Sequence, residues 1–552
     1  MVSMSLPRRA KLKELVSIDI EMFGMSKPHR ADGTFAAMSI AYPNGDTGLI
    51  TDEQAIPDVL DRVDSGLWVM QNALFDLRVL RRYTNVPQRF VHDTMLMEQD
   101  LFGGWYSRFD LQNLARRWLG VFVDKTVRDR FEKAVEMTPE MEQYALSDAI
   151  LTLQIAQKQR DYVYDEFEGQ IPWYTDIDEL ALWAVLDMQP ALIDEIAWRE
   201  YAEEKIVEAT ARQEALGFNV NSHKTVKQHI EKELGRGIRN TNEKKTLTPL
   251  LEKLDPTHPA AELIREVIAI RKIRKLAETY GPSWLENVED GYVYPSWRVV
   301  GTETGRMSCS EPNLQNIPIR TDPIYRTFFP AKPGYVIQVS DVSAQEPGFS
   351  ALLSGDKVLI DEIAQGIKGH QIMADLFEVD YDTGKSINLG LNYGMTEYGL
   401  SATVGISKEA AVAGIKARDR HYRTLTAWRN NQMSKARREY KVHTVTGRPV
   451  WVNPYGISGQ WKRNAQNGPI QGSAADHTKL ALVNLHKFCR EFDLPFLVTH
   501  VVHDEIVQQV PEERAETYAS LLRRAWNDAS SKLAPGINIT VKIAQGENWG
   551  VK

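Results

Sequence analysis

Carboxylates at the ends of apolar strands are the residues of this chain best suited to metal-dependent chemistry. The stretch Phe496–Val510 (FLVTHVVHDEIVQQV) has the β-branched residues typical of a buried hairpin. Its turn carries His503, Asp504 and Glu505. Such carboxylates are costly in an apolar setting unless a divalent cation neutralises them, but a tight turn also favours aspartate for its own hydrogen bonds. The hairpin alone leaves both interpretations open.

A second strand-like run supplies a matching aspartate. Residues 335–346 (YVIQVSDVSAQE) begin with a β-rich segment and place Asp341 near its end. Two carboxylates on strands far apart in sequence are what a two-metal phosphoryl-transfer site needs, because both can face the same pair of cations. We therefore predict that Asp341 and Asp504 meet at one active site.

The N-terminal part carries another set of acidic residues. In the predicted strand LKELVSIDIEMF, alternation puts Asp19 and Glu21 on the same face. Asp76 lies in a predicted helix (NALFDLRVL). A spacing of four residues puts Tyr144 and Asp148 on one face of a later helix. Like charges this close repel each other unless they share a cation, so these residues form a second candidate metal site.

The order of these motifs, DxE, then NxxFD, then YxxxD, resembles the proofreading 3′→5′ exonucleases of the DEDD superfamily, in its tyrosine-bearing subclass. The resemblance implies that four carboxylates hold two Mg²⁺ ions. These implied ligands are Asp19, Glu21, Asp76 and Asp148. It also implies that Tyr144 orients the attacking water.

The strings TGRMS and PNLQNIPIR, between residues 292 and 320, resemble family A DNA polymerases, the group of bacterial DNA polymerase I and many phage replicases. The resemblance continues to GENW at residues 546–549. It implies that Asp341 and Asp504 are the metal ligands of a polymerase site and that Glu505 belongs to its catalytic residues. It further implies contacts with primer–template DNA. The implied DNA-binding residues are Arg306, Gln315, Arg320, Arg463, Asn467, Gln471 and His503.

The same resemblance assigns the nucleotide site. Glu346 is implied to be the steric gate that excludes a ribose 2′-hydroxyl, and Lys385 to be the catalytic lysine that holds the phosphates. His370 is implied to lie near the triphosphate, and Tyr393 at the template-base pocket. Residues 385, 389 and 393 share one helix face. The resemblance implies that Leu389 lies beside the sugar and base of the nucleotide.

Three features depart from the family pattern. Tyr381 stands where the family usually has an arginine for the triphosphate, and Leu389 where it has an aromatic residue. Pro347-Gly348 replaces the usual leucine–arginine. Loss of a base-stacking aromatic ring costs about 1–3 kcal/mol. We therefore predict weaker nucleotide binding and altered selectivity, including for a modified purine. The alternative is drift that nearby cations such as Lys368 compensate.

Composition indicates an ordinary globular protein of more than one domain. The chain has 552 residues, of which 43% are apolar and 25% charged. Two cysteines exclude a disulfide framework, and no apolar run is long enough to span a membrane. The formal charge of −8 argues against a generic basic nucleic-acid coat. It is compatible with an enzyme that gathers cations only along its substrate track.

We predict an α/β exonuclease domain of the RNase H-like class over residues 1–165, followed by an α+β right-hand polymerase over residues 166–552. The predicted thumb covers about 175–290, the palm about 291–360 and 440–552, and the fingers about 361–439. In the thumb, a basic helix is expected either to form a solvated face or to grip duplex phosphates. Its cations are Arg271, Lys272, Arg274 and Lys275.

The predicted function is template-directed DNA synthesis with proofreading, with two Mg²⁺ ions per active site, for which Mn²⁺ is expected to substitute. Expected partners are primer–template DNA, deoxynucleoside triphosphates and a replisome helicase or primase, with no membrane. The compact size suggests a phage replicase that acts as a monomer in the host cytoplasm. Three alternatives stay open: a 3′→5′ exonuclease with a vestigial polymerase domain, a single-subunit RNA polymerase, and a non-catalytic replication protein.

Overall fold

The computed structural model describes residues 15–25, 32–64, 66–124, 126–319, 321–392, 394–456 and 459–551, and only the backbone of residue 244. Two predicted site residues, Arg320 and Tyr393, lie outside these ranges. Within them, no helix is both long and apolar enough to cross a membrane.

The N-terminal part is a five-stranded mixed sheet with helices packed on it. Its strands are β1 (Leu15–Phe23), β2 (Thr34–Ala41), β3 (Thr47–Ile50), β4 (Leu67–Met70) and β5 (Val91–Asp93). Its helices are α1 (Ile56–Val63), α2 (Ala73–Leu80), α3 (Thr94–Phe102), α4 (Leu111–Leu119), α5 (Arg128–Phe131) and α6 (Pro139–Phe167). The strand order is β3-β2-β1-β4-β5, with β1 antiparallel to β2 and parallel to β4. Because β1 is central and covered, its residues other than Ser17 and the acidic pair are apolar.

The middle of the chain is mainly helical, with short strands. Its helices are α7 (Glu179–Asp187), α8 (Glu195–Leu216), α9 (His223–Leu234), α10 (Thr248–Leu251), α11 (Pro259–Thr279) and α12 (Ile324–Thr327). Its strands are β6 (Ala191–Leu192), β7 (Val288–Glu289), β8 (Tyr292–Val293), β9 (Ser296–Arg298) and β10 (Ser308–Ser310). On α11, Arg271 donates to the carbonyls of Val220 and Thr241, each over 2.8 Å. This arginine therefore ties the helix to adjoining loops. Neither a solvated face nor a grip on duplex phosphates, the two expectations for the basic helix, included this contact.

The C-terminal part is built on a four-stranded antiparallel sheet, called the C-terminal sheet below. The strands of this part are β11 (Tyr335–Ser343), β12 (Lys441–His443), β13 (Pro449–Trp451), β14 (Val498–Val502), β15 (Glu505–Pro511) and β16 (Thr540–Gly546). Its helices are α13 (Gln345–Ser354), α14 (Lys357–Ala364), α15 (Gly369–Phe377), α16 (Tyr381–Asn392), α17 (Glu397–Val404), α18 (Lys408–His421), α19 (Arg423–Glu439), α20 (Gln460–Glu491) and α21 (Ala515–Leu533). The C-terminal sheet has the order β14-β15-β11-β16, and α20 and α21 pack on each other beside it. The predicted α/β and α+β parts are thus both observed.

A buried ionic network joins the N-terminal and C-terminal parts. Arg448, which precedes β13, donates to Asp178 over 2.6 Å and to Asp476 on α20 over 2.7 Å, and it also pairs with Asp100 on α3. Lys479 on α20 pairs with Asp178. All five side chains are at most 2% exposed, so each charge depends on its partners for neutralisation.

Candidate active sites

The N-terminal site lies where β1 meets α6. Carboxylate oxygens of Asp19, Glu21 and Asp148 all lie within 4.8 Å of one another. The first two come from one face of β1, as alternation predicted, and the third lies one helical turn after Tyr144 on α6. Oxygens this close are suited to a shared cation.

Asp76 borders this cluster from α2. Its Oδ1 accepts a hydrogen bond of 3.0 Å from the backbone N–H of Ile20, the residue between the two acidic positions of β1. The start of α2 is itself held by Asp93, whose carboxylate accepts from the N–H of Ala73 over 2.9 Å. The hydrogen bond to Ile20 therefore holds the Asp76 carboxylate against β1 beside the cluster. Asp93 positions the start of α2, the helix that carries Asp76.

Burial and mutual repulsion disfavour the ionised form of these carboxyl groups. Burial, followed by the charge of Asp148, raises the pKa of Asp19 to about 8 against the opposing charge of Arg128. Burial also holds the pKa of Asp76 well above its usual range, with repulsion from Asp19 as the second cause. Among the described residues, Asp19 Oδ2 and Asp76 Oδ2 are buried without a hydrogen-bond partner. The site therefore offers only oxygen ligands, and their negative charge is only partly balanced by the protein. Such a set is suited to binding a hard divalent cation.

Tyr144 is a hydrogen-bond donor at this site. Its side chain is buried, and its hydroxyl bonds to the Asp148 carboxylate. Burial raises the pKa of Tyr144 far above its usual range, and the charges of Asp148 and Glu21 raise it further. The phenol therefore keeps its proton at neutral pH, which suits it to orienting a water or a phosphate and not to accepting a proton.

The C-terminal site lies on neighbouring strands of the C-terminal sheet. Asp341 on β11 is the register partner of Glu505, the first residue of β15. The two-residue turn His503–Asp504 connects β14 to β15, and His503 adopts the left-handed backbone conformation (φ 55°) that such turns use. Antiparallel pairing of β11 with β15 thus brings Asp341 close to the β14–β15 turn, which carries Asp504.

Glu505 is held by a buried arginine. Arg326 on α12 donates from Nη1 to Glu505 Oε2 over 2.8 Å, and its guanidinium carbon lies 4.2 Å from the ring centre of Trp549. Trp549 belongs to the GENW string and is itself buried. The carboxylate of Glu505 is therefore partly neutralised by the protein, and its catalytic role stays a prediction.

Asp504 has an acidic environment. Burial, together with the charges of Asp341, Glu505 and Glu346, raises its pKa to about 6. Among the described residues, a tight group of three metal-type ligands occurs only at the N-terminal site. Two aspartates are nevertheless a fitting set for Mg²⁺ at the C-terminal site, because this ion commonly takes its other ligands from water and substrate phosphates.

Helix α16 presents the predicted nucleotide-binding residues. Lys385 is exposed and Leu389 half-buried on it. Asn388 forms a hydrogen bond of 3.0 Å with Nδ1 of His370 on α15. The two helices approach so closely that a Cβ on Gly384 would lie 2.7 Å from the His370 carbonyl oxygen, so this position requires glycine. Gly384 and Asn388, which lie near Lys385 in the sequence, therefore hold α16 against α15.

Two of the predicted DNA contacts also hold the site together. Arg306 Nη2 donates to Glu346 Oε1 over 2.6 Å. Gln315 Nε2 donates to the carbonyl of Val501 over 3.1 Å and to that of Met307 over 3.3 Å. The TGRMS and PNLQN segments are thereby fastened to the hairpin and to the start of α13.

A cavity of about 620 Å³ lies between the C-terminal sheet and α16. Asn467 and Gln471 of α20 line it together with Glu346, His370 and Lys385. Arg463, one turn earlier on α20, is exposed. The structure thus brings three of the predicted nucleotide-binding residues and two of the predicted DNA-binding residues to one cavity.

Sequence analysis missed three arginines at these sites. Arg326 pairs with Glu505 across 179 positions of sequence. Arg418 and Arg429 line the cavity and are buried. Their segments, PIYRTFF and IKARDRHYRTLTAWR, have no spacing that distinguishes a buried arginine from a solvated one.

Comparison with known protein families shows to which family the chain belongs. Residues 195–551 match the family model described as DNA polymerase family A. The chain belongs to DNA polymerase family A. Residues 6–162 match the family model described as 3′-5′ exonuclease, which agrees with the DxE, NxxFD and YxxxD motifs. The family and the order of its two parts, predicted from motifs, are therefore confirmed.

Individual relatives agree with this assignment. The chain is 32% identical over 355 residues to DNA polymerase I, thermostable, of Thermus thermophilus, covering 60% of this chain and 42% of the relative. It is 29% identical over 524 residues to DNA polymerase I of Pseudomonas aeruginosa, covering 88% and 56%. The chain therefore spans about half the length of the curated relatives it matches.

A solved structure shares the fold. The POL domain of Pol1 from M. smegmatis, in complex with DNA primer-template and dNTP, has a TM-score of 0.81 at 22% identity. The match covers 98% of this chain and 97% of that chain. The two chains therefore share one fold over almost the whole length of this chain.

Proposed function

We propose that this family A chain is a template-directed DNA polymerase that also removes nucleotides from DNA 3′ ends. The observation that carries the proposal is the presence of two separate carboxylate sites in one chain, one at β1 and α6 and one at β11 and the β14–β15 turn. Each has the oxygen ligands that two-metal phosphoryl transfer needs. The ligands of the M. smegmatis neighbour support primer–template DNA and a deoxynucleoside triphosphate as substrates.

For synthesis, the proposal gives each residue of the C-terminal site one task. Asp341 and Asp504 hold Mg²⁺, which when bound lowers the pKa of the primer 3′-hydroxyl and neutralises charge on the leaving pyrophosphate. Lys385 faces the triphosphate from the cavity wall. Glu346 occupies space beside the sugar, where a ribose 2′-hydroxyl would otherwise fit.

For removal of nucleotides, Asp19, Glu21 and Asp148 are the proposed cation ligands, with Asp76 beside them. Tyr144 orients the attacking water through its hydroxyl oxygen, which can accept a hydrogen bond from the water while its own proton is held by Asp148. The high pKa of this phenol supports the role because it keeps that proton on Tyr144. Removal and synthesis are thus assigned to separate sets of side chains.

We also propose that nucleotide selectivity is altered. Leu389 presents an aliphatic side chain where a ring would stack on a base, and Tyr381 brings no positive charge to the cavity that it lines. Leu389→Phe is expected to raise incorporation efficiency for ordinary nucleotides by about 5- to 100-fold, the equivalent of one stacking contact. Steady-state incorporation of normal, dideoxy and modified purine nucleotides by both proteins measures this. Identical preferences in wild type and variant would exclude the idea.

Primer extension tests the main proposal. A labelled primer–template is incubated with the full chain and Mg²⁺, with and without the four deoxynucleoside triphosphates. The expected result is extension with nucleotides and shortening without them. Shortening alone, which persists with modified purine triphosphates, would indicate an exonuclease with a vestigial polymerase domain. Extension with ribonucleotides in preference would indicate an RNA polymerase.

A further inference from the structure

The lining of the 620 Å³ cavity includes two arginines that the predicted nucleotide site does not contain. They are Arg418 of α18 and Arg429 of α19, which are 7% and 8% exposed. The same cavity is lined by Glu346, His370 and Lys385 of the predicted nucleotide site. Two buried arginines therefore share one cavity with the residues proposed to bind the nucleotide.

These two arginines are poorly neutralised by the protein. Arg429 Nε is buried without a hydrogen-bond partner among the described residues. Within the described part of the chain, the one ion pair of Arg418 is with Asp419, at 3.9 Å, and that carboxylate is 42% exposed. Burial lowers the pKa of Arg429 to about 9, with the charge of Arg418 as the second cause. A buried cation without a matched carboxylate destabilises the ligand-free fold, so a ligand that supplies negative charge would stabilise this region.

The carboxylates nearest the cavity are already engaged. Glu362 accepts hydrogen bonds of 2.6 Å from both His421 and Tyr422. Glu346 accepts from Arg306 over 2.6 Å. Among the described residues, four cationic side chains, Lys368, Lys385, Arg418 and Arg429, line the cavity against the two carboxylates Glu346 and Glu362. The lining therefore carries an excess of positive charge, which an anion with several oxygens would neutralise.

We propose that Arg418 and Arg429 bind the polyphosphate tail of the incoming nucleoside triphosphate and supply the charge that Tyr381 lacks. Guanidinium groups match phosphate oxygens in bidentate geometry, and a polyphosphate carries enough negative charge for two of them together with Lys385. A single carboxylate or monoanion would leave one guanidinium unsatisfied. This inference rests on the proposed polymerase function, because it names how the same site holds its substrate.

Calorimetric titration of the full chain with deoxyadenosine triphosphate, inorganic pyrophosphate and deoxyadenosine monophosphate tests the assignment. The variants are Arg418→Met, Arg429→Met and Arg429→Lys, and the control is Arg438→Met, whose side chain is 66% exposed on α19. We expect each Met variant to bind triphosphate and pyrophosphate about 10- to 100-fold more weakly, since each loses a charge-assisted contact. Monophosphate and primer–template binding should change less than twofold, and Arg429→Lys should retain most of the affinity.

Stability separates a binding role from a structural one. Because Arg429 is buried without a matched carboxylate, Arg429→Met is expected to melt at the same temperature as wild type or higher in the absence of nucleotide. Unchanged triphosphate affinity in both Met variants, or a loss confined to primer–template affinity, would overturn the inference. Weakening confined to pyrophosphate would also overturn it, because the site would then serve the product.

Primer extension by the wild-type chain tests the proposed polymerase function independently of the two arginines. Wild-type extension at saturating nucleotide concentration shows whether the chain is a polymerase. If wild type extends and the Met variants bind triphosphate normally, only the role of the two arginines is wrong.

Discussion

Arg306 donates to Glu346 over 2.6 Å, although the two residues are 40 positions apart in sequence. Arg306 belongs to the TGRMS string, and Glu346 lies in the first turn of α13 after β11. Their side chains are 30% and 28% exposed, and Glu346 lines the cavity. A segment predicted to bind the primer is thus linked directly to the predicted sugar gate.

Replacing Glu346 with alanine should weaken discrimination against ribonucleotides by about 10- to 100-fold, because the space that the side chain fills becomes open to a 2′-hydroxyl. Glu346→Gln keeps the size but removes the charge, so a steric gate predicts nearly wild-type discrimination for it. The measurement is the ratio of kcat/KM for deoxyribonucleotides and ribonucleotides on one primer–template. Equal loss in both variants would show that the ion pair with Arg306 sets selectivity.

Asp504→Asn and Asp148→Asn should separate the two activities. Each removes a charged ligand at constant size, so the loss should exceed the roughly 10- to 100-fold cost of losing an outer-shell group. Asp504→Asn is expected to stop extension and keep shortening, and Asp148→Asn the reverse. Both are read from a labelled primer at one Mg²⁺ concentration. Asp528→Asn, with a 52% exposed side chain, is the control. Loss of both activities in either variant would contradict independent sites.

Arg448→Met should strongly destabilise the chain. The change leaves Asp100, Asp178 and Asp476 with Lys479 as the remaining cation of the network, and losing one partner of a buried pair costs about 3–5 kcal/mol. The measurement is the denaturant midpoint, which compares variants of a multidomain chain without assuming a two-state transition. Arg438→Met provides the exposed arginine control. A midpoint equal to that of wild type would mean that the network does not stabilise the contact between the N-terminal and C-terminal parts.

Glu179 should make stability depend on pH. Burial raises its pKa from 4.5 to about 8. The folded chain thus keeps a proton that the unfolded chain releases, so stability falls as pH rises between these values, by up to about 1.4 kcal/mol per pH unit. Glu179→Gln retains the oxygen that accepts from Val91 N–H over 2.9 Å and from Trp183 Nε1 over 3.3 Å.

The Gln variant should therefore melt close to wild type at pH 5 and increasingly above it towards pH 8.5. Thermal melts across this range measure the difference, and Glu513→Gln, at an exposed position, is the control. A difference that stays constant with pH would show that Glu179 ionises normally in the fold.

Local pattern in the sequence determined which residues carry the chemistry. Alternation along β1 placed Asp19 and Glu21 on one face, and a spacing of four placed Asp148 one turn from Tyr144, because strand and helix periodicity are properties of consecutive residues. The motif strings likewise identified family A, which the family comparison confirms. The roles of the individual residues stay predictions.

Only the tertiary structure decided which charges are paired. The partners of Arg306, Arg326 and Arg448 lie on segments far apart in the chain, and nothing in the local sequence distinguishes them from solvated arginines. The same holds for Arg418 and Arg429, whose burial at the cavity follows from how α18 and α19 pack against the rest of the fold. Periodicity determines the face on which a side chain lies, whereas its electrostatic environment depends on the long-range contacts that folding creates.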